Sequence, residues 1–110
     1  MKLYLDTSTP QTILRLDDHA YSFELGNQLA EKLLQVIHDR LASLNADWSD
    51  LSEITFMSGP GSFTGLRIGA TVVNTLADQL RIPLFKSTGE KVPIILPDYG
   101  RPANITAPKK

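Results

Sequence analysis

A glycine-rich stretch at residues 58–69, Ser-Gly-Pro-Gly-Ser-Phe-Thr-Gly-Leu-Arg-Ile-Gly, constrains the fold of this 110-residue chain more than any other feature. It follows a short apolar run, Ile54 to Met57, and opens a helical pattern that lasts to about Leu80. Glycine permits positive φ and proline fixes its own φ, so Gly59-Pro60-Gly61 predicts a turn. Ser62 or Thr64 can cap the helix, because a hydroxyl accepts from a free N–H of the first turn. The stretch therefore predicts a strand, a tight turn and a helix.

Two interpretations fit the composition of this loop. A helix N-terminus behind a glycine-rich turn can bind a phosphate group. However, the loop lacks the Lys-Ser/Thr ending of a P-loop, the G-x-G-x-x-G spacing and the G-x-S-x-G nucleophile elbow. The other interpretation is a structural turn whose glycines let the helix pack closely, and the spacing favours it.

The rest of the chain predicts the element order β-β-β-α-β-α-β. The first three strands are predicted at Lys2–Asp6, Thr12–Leu16 and Ala20–Glu24, followed by one ending at Met57 and one at Ile82–Lys86. One helix is predicted from Gly26-Asn27, with Asn27 as the N-cap, and the second from about Thr64 to Leu80. Beyond Ser87, repeated prolines predict an extended tail.

Both predicted helices are apolar over wider arcs than a helix that covers only a sheet. At 100° per residue the apolar residues span roughly 160° in the first helix and about 200° in the second, whereas a stripe of roughly 100° or somewhat more suffices. In the second helix, Gly65, Gly69, Val72 and Leu76 form one stripe whose small residues let a neighbour approach closely. That neighbour is either the chain's own first helix or sheet, or a partner chain.

Composition argues against several classes of function. The net charge of −1 and the pI of about 6.0 provide no basic face for binding RNA independently. The chain has no cysteine, and its two histidines, His19 and His38, are not clustered as metal ligands are. No apolar run approaches the roughly 20 residues of a membrane span. We therefore expect a cytoplasmic protein that binds no metal and needs no cofactor.

Three motifs resemble the TsaB (YeaZ) family. "SGPGSFTGLRIG" is similar to the family signature after a strand, "LYLDTST" to its opening strand, and "RIPLFKST" to its stretch after the second helix. The resemblance implies an α/β fold, a single ribonuclease H-like (actin-like ATPase) lobe with a mixed five-stranded sheet. It places this lobe at residues 1–88 and a Pro-rich extended tail at 89–110. Family members usually have two lobes, and "LPDYGRP" is weakly similar to a motif near their end, so either a natural one-lobe version or a truncated chain is expected.

The same resemblance implies a non-catalytic subunit in the synthesis of threonylcarbamoyladenosine (t6A) in tRNA. Its partners would be a TsaD-type catalytic subunit and a TsaE-type ATPase, with a homodimer as another possible assembly and tRNA contacted only indirectly. Together with the wide helix arcs, this predicts a partner-binding surface on the two helices. The predicted contact residues are Leu29, Leu33, Val36, Gly65, Gly69, Val72 and Leu76.

Two other functions remain as alternatives. In actin-like ATPases an aspartate at the end of the first strand helps hold metal and phosphate, and Asp6 occupies that place. A nucleotide-binding module would use Asp6, Gly59, Gly61 and Ser62. A purely structural homodimer would use the helices alone. A hydrolase is disfavoured, because the H-x-x-x-H pair of the catalytic partner is absent.

Overall fold

The computed structural model describes residues 1–98, so the end of the predicted tail, residues 99–110, lies outside the described part. The strands are β1 (Lys2–Asp6), β2 (Gln11–Leu16), β3 (His19–Glu24), β4 (Glu53–Phe56), β5 (Leu84–Lys86) and β6 (Lys91–Val92). The α-helices are α1 (Leu29–Ser43) and α2 (Phe63–Leu80), and single 3-10 turns lie at Gly26–Gln28 and Trp48–Asp50.

The strands form one mixed sheet in the order β3-β2-β1-β4-β5-β6. Strand β1 pairs antiparallel with β2 and parallel with β4, which in turn pairs parallel with β5. The helix-linked strands are therefore parallel, as the alternation of strands and helices predicts. The five predicted strands are confirmed, and the short β6 adds a sixth at the edge beside β5.

Both helices cover the same face of the sheet. Alternate strand residues point to that face and are buried: Leu3, Leu5, Leu14, Leu16, Ile54, Phe56 and Leu84. Against them pack α1 through Leu29, Leu33, Ile37 and Leu41, and α2 through Leu66, Ala70, Val73 and Ala77. Within residues 1–98, neither helix has the length and apolarity needed to cross a bilayer.

The two helices begin differently from each other. Ser62 caps α2 as predicted, because its Oγ accepts a hydrogen bond from the Gly65 N–H at 3.2 Å. The predicted Asn27 cap is wrong: α1 starts at Leu29, after a 3-10 turn that Gly26 enters with φ +51°. The N-cap of α1 is Gln28, whose side chain makes no capping bond. The chain thus reaches α1 through a tight backbone turn rather than through a side-chain cap.

Removal of the Ser62 cap is the first testable consequence. The Ser62→Ala variant should lose about 1 kcal/mol of unfolding free energy, since one N–H of the first turn of α2 loses its acceptor. Urea unfolding followed by circular dichroism measures this change. Asn27→Ala is the matched control and should change stability by less than about 0.5 kcal/mol. An equal loss in both variants would show that Ser62 is not a specific cap.

Residues 93–98 form a strap along α2, defined here as Pro93 to Asp98. Asn74 on α2 accepts from the Ile95 N–H at 2.7 Å and donates to the Ile95 carbonyl at 3.1 Å. The Ile95 side chain is buried in the hydrophobic core. At the far end, the Asp98 N–H donates to the Ser58 carbonyl at 2.6 Å. This part of the predicted tail is therefore packed onto the lobe rather than separate from it.

Candidate partner-binding surface

The helices leave an apolar groove on the outer side of the molecule, where α1 and α2 lie side by side. One cavity of about 380 Å³ lies at their N-terminal ends, lined by Thr9, Pro10, Gly26, Asn27, Leu29, Ser62, Thr64, Gly65 and Ile68. A second of about 300 Å³ is lined by Ala30, Arg67, Ile68, Thr71 and Val72. Because Ile68 lines both cavities, they form one surface, called here the interhelical groove. Leu34 lies one turn beyond Ala30 on α1 and is 50% exposed.

Four of the seven predicted contact residues are enclosed by the chain itself. Leu29 and Leu33 belong to the core, with exposures of 5% and 1%. A Cβ on Gly65 would clash with the Thr7 carbonyl, and one on Gly69 with the Thr7 hydroxyl and the Phe56 ring. The close neighbours of Gly65 and Gly69 are therefore the chain's own turn after β1 and strand β4, and contact of these four residues with a partner stays a prediction.

The other three predicted residues do not share one surface. Val36 lines a separate depression with the polar residues Glu31, Lys32, Gln35 and Asp39. Val72 lines the interhelical groove, and Leu76 follows it by one turn on α2; both are half-buried. Of the seven predicted residues, Leu29, Gly65 and Val72 therefore line the interhelical groove.

Ala30 and Ile68 line the groove but were not among the predicted residues, and the exposed Leu34 lies one turn beyond Ala30. At 100° per residue, Leu34 and Ile68 lie at the edges of the apolar arcs, about 80° and 140° from the centre of the buried residues, and Ala30 lies about 40° from it. The prediction favoured the centre of each arc, and the core occupies that centre. The sequence signal for an outer surface was therefore the flank of each arc.

Asp6, proposed for the nucleotide-binding alternative, is engaged within its own turn. One carboxylate oxygen, Oδ1, accepts from the Ser8 N–H at 2.8 Å and from the Ser8 hydroxyl at 2.6 Å. These bonds tie the end of β1 to the following turn, as acidic residues commonly do in turns. The Asp6 carboxylate thus stabilises the turn that follows β1.

The glycines of the loop are likewise occupied by the chain. A Cβ on Gly61 would clash with Ser8, and one on Gly59 with the Asp98 carbonyl. Ser62 donates its N–H to the Ser8 carbonyl at 2.7 Å, and its hydroxyl caps α2. The close packing that the glycines permit is used by the β1–β2 turn and the strap, which supports the structural interpretation of the loop.

The opposite face of the sheet is polar in character. A cavity of about 460 Å³ there is lined by Lys2, Leu3, Tyr4, Arg15, Asp17, Asp18, Glu53, Thr55 and Ser87. The Arg15 guanidinium lies 4.2 Å from the centre of the Tyr4 ring, a cation–π contact. Burial raises the pKa of the Tyr4 hydroxyl, and the Asp6 carboxylate raises it further, while Arg15 opposes both. The mixture of charges suits a solvated face better than a binding site for one kind of ion.

The fold is a single ribonuclease H-like lobe of the actin-like ATPase type. It is defined by the strand order, by the parallel strands at the centre of the sheet and by the two helices that cover one face. Residues 24–86, more than half of the chain, match the family model described as "TsaD: tRNA N6-adenosine threonylcarbamoyltransferase". A solved structure, "YeaZ from Pseudomonas aeruginosa", matches with a TM-score of 0.67 and 35% identity, covering 77% of this chain and 42% of that one. The chain therefore belongs to the protein family that this model describes, and the TsaB (YeaZ) proteins are its relatives within that family.

Two curated relatives carry the description "tRNA threonylcarbamoyladenosine biosynthesis protein TsaB". That of Bacillus subtilis is 42% identical over 53 residues, which are 48% of this chain and 23% of the relative. That of Haemophilus influenzae is 31% identical over 86 residues, 74% of this chain and 36% of the relative. The chain thus spans well under half the length of these relatives.

Proposed function

We propose that this chain is a non-catalytic subunit in tRNA t6A biosynthesis, and that it binds a TsaD-type protein through the interhelical groove. The observation that carries the proposal is the groove itself: an apolar surface on two adjacent helices, lined by Ala30, Ile68 and Val72 among others, with Leu34 50% exposed one turn beyond Ala30 on α1. A surface helix normally keeps such side chains toward the core. Helix pairs with apolar outer faces suit packing against further helices.

The names of the relatives support a role in t6A biosynthesis. Proteins similar to this chain are described as t6A biosynthesis proteins, and the matching family model describes a threonylcarbamoyltransferase. Because the chain corresponds to only part of those proteins, their activity and partners are part of the proposal. In this proposal a TsaE-type ATPase and tRNA bind the assembly through the partner.

The hydrogen bonds that Asp6 and Ser62 make within the chain favour a supporting role over a catalytic one. The Asp6 carboxylate and the Ser62 hydroxyl, which a phosphate-binding site would use, already bond to the chain's own backbone. A subunit of this kind acts by burying surface. A stable interface buries roughly 800 Å² per partner, and it would need the groove together with the charged side chains at its rim, such as Arg67.

Binding to a TsaD-type protein from the same source tests the proposal. The purified chain and partner, mixed at micromolar concentrations, should elute together in size-exclusion chromatography and show saturable binding by calorimetry. The chain alone is the control, because a homodimer through the same groove is the competing assembly. Absence of any complex would overturn the proposed function, and a tight homodimer that the partner cannot dissociate would favour the structural alternative.

A further inference from the structure

The two edges of the sheet differ in how open they are to a further strand. The edge strand β6 has only two residues, with Lys91 in the strand and Pro93 directly after it. Short strands, lysine and proline all discourage further pairing. The edge strand β3 has six residues, contains neither proline nor lysine, and pairs with β2 residue by residue without a bulge. Within residues 1–98, no strand pairs with its outer side, so β3 is the edge that can accept another strand.

The backbone groups that β3 offers on its outer side follow from the turn before it. Leu16 pairs with His19 across a two-residue turn, and the closing pair of such a hairpin is hydrogen-bonded. Bonded and non-bonded pairs alternate along an antiparallel ladder. The same alternation turns Asp17 toward β1, where its N–H donates to the Lys2 carbonyl at 2.9 Å. On β3, the residues whose N–H and C=O groups point outward are therefore Ala20, Ser22 and Glu24.

The side chains of β3 on the helix-covered face are aromatic. Tyr21 lies opposite Leu14 of β2, and Phe23 lies opposite Thr12, and both of these β2 residues are buried. The two rings stack with their centroids 6.4 Å apart, and the Arg40 guanidinium of α1 lies 5.4 Å from the centre of the Tyr21 ring. Both aromatic side chains are only half-buried. The open edge thus carries apolar surface as well as outward backbone groups.

We propose that β3 pairs antiparallel with β3 of a second copy of this chain, with the twofold axis at Ser22. In this register the outward groups meet as bonded pairs, Ser22 with Ser22 and Ala20 with Glu24 of the other copy. Tyr21 then lies opposite Phe23 of the other copy, and the axis repeats this pair. Both pairs are non-bonded ones, in which side chains come closest and aromatic rings interact across the strands. The edge is therefore complementary to itself.

The charges favour this register over its neighbours. Each Glu24 carboxylate lies opposite the neutral Ala20, and Arg15 of β2 pairs with that alanine from its other side. The row across the strands thus holds an acid and a base from different copies, with a small side chain between them. Moving the axis one residue toward the turn would set Glu24 against Asp18 of the other copy, and like charges directly opposite are destabilising. Moving it the other way would pair fewer residues of the strand.

This dimer would join the two sheets into one and leave the interhelical groove uncovered. The axis that relates two antiparallel strands is perpendicular to the sheet, so the helices of both copies lie on the same face. Both grooves then point in the same direction. The assembly differs from a homodimer that packs helix against helix, and it is compatible with a partner in each groove.

Disulfide crosslinking tests the register directly, because the chain has no cysteine of its own. In Ser22→Cys the two introduced residues should face each other with their Cα atoms about 5.5 Å apart, a distance that a disulfide can bridge. Ala20→Cys is the matched control, because its two copies would lie four residues out of register, about 14 Å apart, which is too far. Under mild oxidation, Ser22→Cys should give at least tenfold more covalent dimer on a non-reducing gel. Equal yields from the two variants would overturn the inference.

Sedimentation velocity of the wild-type chain tests the association itself. We expect a reversible dimer with a dissociation constant of about 100 μM or lower, since paired edge strands form a smaller interface than the standard size. Ser22→Pro should weaken the dimer at least tenfold, because proline removes an outward N–H that the ladder with β2 does not use. If circular dichroism shows that this variant is unfolded, Ser22→Lys takes its place, because it sets two like charges against each other on the axis.

Two results of the sedimentation experiment would overturn the inference. One is a wild-type chain that stays monomeric at millimolar concentration, and the other is a folded Ser22 variant that dimerises as tightly as the wild type. Neither measurement includes a TsaD-type protein. The dimer and the proposed function can therefore fail independently of each other.

Discussion

Replacing Gly69 with valine should destabilise the lobe by about 3 kcal/mol, the upper end of what overpacking a core usually costs and a large share of the roughly 5–15 kcal/mol that stabilises a domain. The reason is the lack of room at this position. A Cβ there would overlap the Thr7 hydroxyl and the Phe56 ring, both of which are buried. Moving Thr7 would also weaken its hydrogen bond to the Gly65 carbonyl, 2.7 Å long. The variant thus strains the contact of α2 with the turn after β1 and with β4.

Urea unfolding of the Gly69→Val variant, followed by circular dichroism and tryptophan fluorescence, measures the loss. Thr75→Val is the matched control, because it places the same β-branched side chain at an exposed position of α2. It should change stability by no more than about 0.5 kcal/mol. Similar midpoints for both variants would mean that α2 does not approach the sheet as closely as the structure has it.

Sequence periodicity was enough to predict most of the fold. The strand β1 was predicted with the bounds found, Lys2–Asp6, and the end of α2 at Leu80 was also found. These elements have strong local signals, such as an apolar run before a polar turn or a serine cap after a glycine-proline turn. Element order then determined which strands are parallel, because a helix connects them.

What the sequence could not predict are the contacts between residues that lie far apart along the chain. The small side chains of Gly65 and Gly69 indicate that something comes close, but not whether it is a strand of the same chain or a partner helix. The residue that decides is Thr7, which is 58 positions from Gly65 in the hydrogen bond between them. Helix wheels place apolar residues on arcs, and only the packed structure shows which part of an arc the sheet covers.

The strap shows the same limit at the C-terminal side. Strand β6 has only two residues, too few for any periodicity to be visible. Asn74 and Ile95, whose hydrogen bonds hold the strap, are 21 positions apart in the sequence. Asn74 also lies on the polar side of the predicted helix, where the sequence predicts exposure to solvent. A proline-rich composition predicts the absence of helix, and it does so correctly for residues 93–98, but it does not predict packing.

Replacing Ile68 with glutamate should weaken binding to a TsaD-type protein by at least about 100-fold, or roughly 2.7 kcal/mol. Ile68 lines both cavities of the interhelical groove, so the new carboxylate would be buried in the interface without a partner. In the free chain this side chain is only half-buried, and the carboxylate can turn to water. Affinity should therefore fall much more than stability does.

Calorimetry with the wild-type and variant chains measures this difference, and urea unfolding verifies that the variant is folded. Leu96→Glu is the matched control: it introduces the same charge at a side chain that is 75% exposed, on the strap rather than in the groove. Its affinity should stay within about twofold of the wild type, as expected for a site outside the interface. If a folded Ile68→Glu chain binds as tightly as the wild type, the partner uses another surface. The proposed pathway would then survive, because binding by the wild-type chain tests it separately.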